Sequence, residues 1–163
     1  MEKRPGGMAG FEQELLTRLG TFIKRAEQAL IAAKTAALAQ HNLTVPQYGA
    51  LMLLDYLPEA SAAQLSRACL VTPQTMATVV GNLQHKGLVS REPAAMHRRV
   101  LSVRLTEAGR SAVRAADRDA RAVEARLLAS FTTGEAALLR QLLDRACQTL
   151  TTDPARIQAK EPT

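Results

Sequence analysis

The chain has 163 residues, of which 47% are hydrophobic, with 21 lysines and arginines against 15 aspartates and glutamates. This length and composition exclude a disordered chain and allow one domain with room for a dimerisation appendage. The net charge of +6 is uneven, because residues 61–105 carry six basic side chains and one acidic side chain. A local excess of this kind indicates an anionic partner at that segment.

Several classes of protein lack support in the sequence. No apolar run approaches the roughly 18 residues of a membrane span. The first ten residues lack the apolar centre of a secretory signal, so we expect a cytoplasmic protein. The two cysteines, Cys69 and Cys147, have the spacing of neither a disulfide framework nor a zinc site. We expect both to be small buried apolar residues, with a redox sensor at Cys69 as the alternative, and we expect no metal and no cofactor.

The N-terminal part is predicted to be a loose tail, residues 1–10, followed by one long amphipathic helix that ends near His41 and Asn42. Apolar residues recur there at steps of three and four: Phe11, Leu15, Leu19, Phe22, Ala26, Ala29, Ala33 and Ala37. These side chains shrink to alanine along the helix, so its second half must pack closely against another element.

Four further helices begin with a capping threonine or serine. They are predicted from Thr44 to about Leu57, from Ser61 to about Ala68, from Thr72 to about Lys86, and from Thr132 to about Leu150. Gly87 is expected to end the third of them.

Between Gly87 and Thr106 the pattern changes to that of two strands. Residues 88–91 form a short extended run, residues 93–97 are expected to form a loop, and residues 100–105 alternate with Leu101, Val103 and Leu105 inward. The pair predicts a β-hairpin with a basic tip. Thr106 then caps a long helix whose inward positions are Val113, Ala116, Ala120, Val123 and Leu127.

Two short helices followed by this hairpin predict a winged helix-turn-helix. In the helix over 73–86, Met76, Val79, Val80 and Leu83 form one apolar stripe at about 100° per residue. The opposite face carries Gln74, Thr78, Gly81 and His85, with Thr75 and Asn82 at its margins. This face has no acidic residue, and an ordinary solvated face is the alternative interpretation.

These residue types suit double-stranded DNA. Glutamine and asparagine bond to adenine edges, and threonine offers a methyl group to thymine. The helix N-terminus at Thr72 suits a phosphate. Further contacts are expected from the basic residues around the helix, namely Arg67, Arg91 and, at the hairpin tip beside His97, Arg98 and Arg99. One tip arginine could instead brace the loop, but Glu92 is the only acid in the segment, so at least one should be free.

Residues 43–113 resemble the MarR family of winged helix-turn-helix transcriptional regulators. The matching segments are Leu43-Thr44-x-x-Gln47, Ala63-Gln64-Leu65-Ser66, Thr75-Met76-x-Thr78-Val79-Val80, Leu83-x-x-Lys86-Gly87-Leu88-Val89, Arg98-Arg99 and Leu105-Thr106-Glu107-Ala108-Gly109. The resemblance implies a mainly α-helical fold with a small β-hairpin wing. It also implies a homodimeric repressor on a pseudo-palindromic operator, often released by small aromatic acids or by oxidation. The expected division is a dimerisation helix in 1–42, the DNA-binding domain in 43–105 and dimerisation helices in 106–163.

Two departures from the family pattern matter. Thr78 stands where the family usually has an arginine, and Ala94-Ala95-Met96-His97 replace the aspartates that usually precede the arginine pair. We therefore hypothesise that part of the DNA affinity has moved to the wing.

A small anionic aromatic effector is expected where the dimerisation helices meet the winged domain, at His41, Tyr48 and Met52. A protonated histidine can pair with an anion. The alternatives are a helix-closing role for His41 and core packing for Tyr48 and Met52. The family's peroxide sensors use a cysteine near the N-terminus, where this chain has none.

The sequence bears on two other function classes. An enzyme is disfavoured, because the three histidines lie on separate elements and the sequence has no nucleophile motif or phosphate loop. A winged-helix module that binds proteins and not DNA is the second alternative, since the fold does not fix the function. Retention on DNA that depends on salt would separate the two.

Overall fold

The computed structural model describes residues 7–93 and 101–151, and within them it confirms the predicted class, mainly α with a small β wing. The elements are α1 Met8–Thr17, α2 Leu19–Ala39, α3 Val45–Tyr56, β1 Ala60–Ser61, α4 Ala62–Ala68, α5 Pro73–His85, β2 Val89–Pro93, β3 Leu101–Leu105, α6 Glu107–Leu128 and α7 Thr133–Thr151. Contacts divide the chain into two compact units, residues 1–123 and residues 124–163.

The prediction of one long N-terminal helix is wrong, because the helix is interrupted at Arg18. This residue is extended, with φ −93° and ψ 116°, and it serves as C-cap of α1 and N-cap of α2. Gly20 follows two residues later, and glycine disfavours the helical backbone by roughly 1 kcal/mol relative to alanine. The helix also ends earlier than predicted, at Ala39, and Asn42 turns the chain with φ 54°.

The predicted helix starts are confirmed. Thr44 and Ser61 each form a full capping box with the glutamine three residues later. The hydroxyl oxygen of Thr72 accepts a hydrogen bond from the backbone N–H of Thr75. In the second unit, Thr132 and Glu135 cap α7 reciprocally, with N···O distances of 2.8 and 3.3 Å. Each box satisfies N–H groups that a helix leaves unpaired at its start.

The wing is a three-stranded antiparallel sheet in the order β1-β3-β2. The predicted hairpin is confirmed and pairs Val89 with Leu105 and Pro93 with Leu101, so β2 reaches two residues further than predicted. Strand β1 escaped prediction because it is only two residues long, and its Ser61 also caps α4. The hairpin tip, residues 94–100, lies outside the described residues.

The inward alternation predicted for β3 is only partly correct. Val103 is buried, as expected, but Leu101 is exposed and Ser102 is buried. The Ser102 hydroxyl lies 3.2 Å from a carboxylate oxygen of Glu59 and 3.3 Å from the carbonyl oxygen of Glu92. Because β3 is the central strand, polar partners from both sides reach this serine and satisfy its burial.

The core of the first unit forms around the apolar stripe of α5. Met76, Val79, Val80 and Leu83 are all buried, which confirms the helical-wheel prediction. They share one cluster with leucines of α2, α3 and α4 and with Val113, Ala116 and Ala120 of α6. Because this stripe is buried, the opposite face of α5 is exposed to solvent and is available for binding.

Other apolar surfaces have no cover within their own unit. Phe11, Leu19 and Phe22, predicted to lie on the apolar face of the N-terminal helix, are exposed in α1 and α2. In the second unit, Leu127 at the end of α6 and four leucines of α7 (Leu138, Leu139, Leu142 and Leu143) are likewise exposed. No helix within residues 7–93 and 101–151 combines the length and the hydrophobicity needed to cross a bilayer.

Candidate nucleic-acid interface

The outward face of α5 has the composition predicted for a reading surface. Gln74, Thr75, Thr78 and Asn82 are exposed, as are Gly81 and His85 between and beside them. The helix carries no acidic residue. A negatively charged ligand therefore meets hydrogen-bonding groups on this face and no carboxylate of α5.

The start of α5 is held by two threonines. The Thr72 oxygen accepts the Thr75 N–H at 3.1 Å, and the two hydroxyl oxygens lie 2.8 Å apart. One turn later, the Thr78 hydroxyl donates to the carbonyl oxygen of Gln74 at 3.3 Å. The exposed amides of Gln74 and Asn82 have no hydrogen bond from their side chains to another described residue.

The turn between α4 and α5 sets the direction of this face. Leu70 adopts φ 54° and is 93% exposed, and the Val71 N–H donates to the carbonyl oxygen of Ser66 at 3.1 Å. Arg67 lies in the last turn of α4 and is exposed beside this turn. A leucine in the left-handed region is strained, since only glycine and, less often, asparagine or aspartate adopt it readily.

The cysteines differ from one another. Cys69, expected to be buried, is half-buried and packs against the core, and this burial raises the pKa of its thiol. A raised pKa lowers the thiolate fraction on which oxidation depends. Cys147 was expected to be buried but is exposed on α7. Among the described residues, no group of three or more histidine, cysteine and carboxylate side chains is placed to hold a metal ion.

Of the four basic side chains in residues 61–105 that the structure describes, two make contacts within the chain. Lys86 donates to the carbonyl oxygen of Asn42 at 2.5 Å and to the Gln47 side-chain oxygen at 3.2 Å. Arg104 pairs with Glu59 at 2.5 Å. Its Nε also lies 3.8 Å from a carboxylate oxygen of Glu92. The positive field is thus weaker than the sequence count indicates, because Glu59 lies just outside the counted segment.

The remaining cations of the segment fall into two groups. Arg67 and Arg91 are exposed, and neither forms an ion pair with any residue that the structure describes. Arg98 and Arg99, with His97, lie outside the described residues, so their predicted role stays a prediction.

The three residues predicted to contact an effector lie near helix α6. His41 Nε2 is 2.6 Å from a carboxylate oxygen of Asp119, and the Gln40 amide donates to the same oxygen at 2.9 Å. The Tyr48 hydroxyl donates to Asp117 at 2.7 Å. The sequence alone does not indicate either aspartate, because Asp117 is 69 residues from Tyr48 and Asp119 is 78 residues from His41 along the chain.

Asp117 is the centre of a small polar network. The pKa of Asp117 is lowered mainly by the hydrogen bond from Tyr48. Arg121, whose Nε lies 2.5 Å from the carboxylate, lowers it further, and burial acts in the opposite direction. In turn, the Asp117 carboxylate and the Tyr56 hydroxyl raise the pKa of Arg121.

A cleft of about 70 Å³ adjoins this network. It is lined by side chains of α3 and α6, namely Met52, Asp55, Tyr56, Val113, Arg114, Asp117 and Arg121. Met52 is therefore placed in the cleft, Tyr48 is linked to it through Asp117, and His41 is not part of its lining.

Comparison with known proteins supports one family. The model of the MarR family matches residues 41–100. The HTH-type transcriptional repressor Rv2887 of Mycobacterium tuberculosis is 34% identical over 127 residues, which cover 78% of this chain and 91% of that protein.

Solved structures agree with the sequence relatives. The structure of Rv2887 in complex with DNA has a TM-score of 0.62 at 32% identity, covering 79% of this chain and 97% of that one. A probable transcriptional regulator from Pseudomonas aeruginosa has a TM-score of 0.68 at 30% identity, covering 79% and 96%. The resemblance predicted from the motifs is thus confirmed, and the chain belongs to the MarR family of winged helix-turn-helix transcriptional regulators.

Proposed function

We propose that this chain is a repressor that binds a pseudo-palindromic DNA operator as a homodimer in the cytoplasm. The observation that carries the proposal is the outward face of α5, which is exposed, polar and free of acidic groups. Arg67 and Arg91 are also exposed and form no ion pair with any described residue. The related protein Rv2887 is named a transcriptional repressor and has been crystallised with DNA, which supports the same function here.

The side chains divide into two roles in this proposal. Gln74 and Asn82 have amides available for base edges, while Thr75 and Thr78 lie between them on the same helix. The phosphate backbone is held by the cap at Thr72 and by four arginines, namely Arg67, Arg91, Arg98 and Arg99. Base contacts provide the sequence preference, and the arginines provide most of the affinity that salt weakens.

A homodimer would cover the apolar surfaces that each unit leaves exposed. Phe11, Leu19 and Phe22 are large side chains of the N-terminal helices, and α7 exposes a further set of leucines. Exposed large apolar side chains mark an interaction site when they gather into a patch. In a two-fold dimer the two α5 helices would contact half-sites about 34 Å apart, one turn of DNA.

The test is DNA binding by the full chain at several salt concentrations, with duplexes selected from a random library. The double variant Arg98→Ala, Arg99→Ala should bind much more weakly, and the slope of log affinity against log salt should fall by about 0.9 for each lost phosphate contact. The matched control removes two exposed arginines of α7, Arg140→Ala and Arg145→Ala, and should leave the slope unchanged. A chain that selects no duplex and elutes from DNA at low salt would refute the proposal in favour of a protein-binding module.

We also propose a small anionic aromatic effector for the cleft between α3 and α6. Arg114 and Arg121 supply positive charge, and Met52 and Tyr56 supply apolar and aromatic surface. A carboxylate entering the cleft would replace Asp117 at Arg121 and release Tyr48. The cleft is smaller than the roughly 300 Å³ typical of ligand pockets, so side chains must move to admit a ring. The relative Rv2887 has been crystallised with salicylic acid and with p-aminosalicylic acid.

Salicylate is the probe for this second proposal. It should raise the melting temperature of the chain and weaken operator binding, because a ligand stabilises the state that it binds. Both effects should be reduced in Arg121→Ala and in Met52→Ala. His41→Ala should have a smaller effect than either, since His41 contacts Asp119 and not the cleft. Absence of any thermal shift with salicylate and related aromatic carboxylates would count against the effector.

A further inference from the structure

The middle of the α5 reading face is made by Thr78 and Gly81, which lie one turn apart at positions i and i+3. A hydroxyl group has a single hydrogen to donate, and the Thr78 hydroxyl donates it to the carbonyl oxygen of Gln74 at 3.3 Å. With that hydrogen used, Thr78 can offer a base edge no donor, only its methyl group and the acceptor capacity of its hydroxyl oxygen.

Gly81 has no internal reason to be glycine. Its φ is not in the left-handed region, and a Cβ added at this position would meet no atom within 4 Å. Glycine within a helix costs roughly 0.5–1 kcal/mol of stability relative to alanine. By contrast, Gly109 on α6 is required by packing, because a Cβ there would overlap the backbone of Leu88. Gly81 therefore leaves open space on the outward face of α5, which a molecule approaching from outside can occupy.

We propose that Thr78 and Gly81 determine specificity by shape: α5 approaches the bases closely across Gly81 while the Thr78 methyl contacts the C5-methyl group of a thymine. This inference rests on the proposed DNA-binding function and adds the base that the centre of the helix reads. Threonine methyl groups pair with thymine methyl groups in the major groove, whereas guanine is read by arginine or lysine, and neither occurs on α5.

The first experiment tests the methyl contact. Duplexes are selected from a random library by the full chain, and each thymine of the selected half-sites is then replaced by uracil, which removes only the C5-methyl group. One replacement near the centre of the half-site should weaken binding about three- to five-fold, as expected for one buried methyl group. Thr78→Ser should lose the same factor on the thymine duplex and nothing more on the uracil duplex, whereas Thr78→Val should keep the preference for thymine.

The second experiment tests the close approach across Gly81. Gly81→Ala should raise the melting temperature by about 2–4 °C, because alanine favours the helix, and should weaken binding to the selected duplex ten-fold or more. The matched control is Gly134→Ala in α7, where a Cβ also meets nothing within 4 Å. This control should leave DNA binding unchanged.

The outcomes separate the inference from the function on which it rests. If the chain selects no duplex, the DNA-binding function itself fails. If it selects duplexes without a central thymine, tolerates uracil, or binds normally as Gly81→Ala, the inference fails and the DNA-binding function stands. If Thr78→Val loses the preference and Thr78→Ser keeps it, the hydroxyl is the reading group and the methyl contact is refuted.

Discussion

The hydrogen bond between Tyr48 and Asp117 is expected to stabilise the fold in a pH-dependent way, and Tyr48→Phe removes it while keeping the ring. The Tyr48 side chain is buried, and its hydroxyl donates to Asp117 at 2.7 Å. Hydrogen bonds to charged groups contribute about 1.5–3 kcal/mol, and we expect about 1–2 kcal/mol here because the Asp117 side chain is 27% exposed. For a chain of this size the melting temperature should fall by about 2–8 °C at pH 7.

The sign of the pH dependence follows from the lowered pKa of Asp117. A carboxyl group whose pKa is lower in the folded state stabilises the fold above its unfolded-state pKa, about 3.9. This contribution is lost as the pH falls through the folded-state pKa. The free energy of unfolding of wild type and of Tyr48→Phe should therefore differ most above pH 4, and the difference should shrink as the pH falls further.

Denaturant unfolding at fixed protein concentration, between pH 7 and pH 3, measures this difference. The control for the loss of a hydroxyl is Tyr56→Phe. Tyr56 is 73% exposed and its hydroxyl interacts with Arg121 and not with Asp117, so this variant should change stability by less than about 0.5 kcal/mol. In an Asp117→Asn background, Tyr48→Phe should cost less, and its cost should not change with pH in this window. A cost for Tyr48→Phe that is equal at pH 7 and pH 3 in the wild-type background would refute the reasoning.

Three further substitutions test other parts of the fold. Leu70→Gly should stabilise the fold by about 0.5–1 kcal/mol in denaturant unfolding, since it relieves a left-handed backbone and the lost side chain is almost fully exposed; an unchanged or lower stability would contradict the strain. Gly109→Ala should destabilise it by about 3 kcal/mol or more, because the added Cβ overlaps the backbone of Leu88, and a melting temperature within 2 °C of wild type would exclude that overlap. Lys86→Gln should cost about 0.5–1 kcal/mol yet leave the salt slope of DNA binding unchanged, because Lys86 bonds within the chain, and a reduced slope would show a phosphate contact.

Local signals in the sequence predicted most of the fold. Capping residues such as Thr44, Ser61 and Thr72 fix helix starts by contacts within four residues, so a reader of the sequence can find them. The break at Arg18 has no such signal, because the apolar periodicity continues through it. Strand β1 has none either, because two residues are too few to show alternation.

The candidate sites divide in the same way. The exposed face of α5 follows from its own apolar stripe, and it was predicted in full. The partners of the charged and polar residues could not be predicted, because Arg104 and Glu59, or Tyr48 and Asp117, come together only through the tertiary fold. Counting charges along the sequence therefore overstates the positive field. The helical wheel of α5, by contrast, correctly predicts which of its residues are exposed.

The loop between α2 and α3 and the first turn of α3 together connect α6, beside the candidate cleft, to α5 through hydrogen bonds. On one side, His41 and Tyr48 contact Asp119 and Asp117 of α6. On the other side, Lys86, the C-cap residue of α5, donates to Asn42 and Gln47 of the same region. A ligand that displaces Asp117 therefore removes one of the contacts that position α3, and α3 in turn holds the C-terminal end of α5. Such a connection can change DNA affinity only if the ligand binds more tightly to the arrangement without the Tyr48–Asp117 contact than to the arrangement with it. The measured effect of salicylate on operator binding therefore gives the size of the coupling.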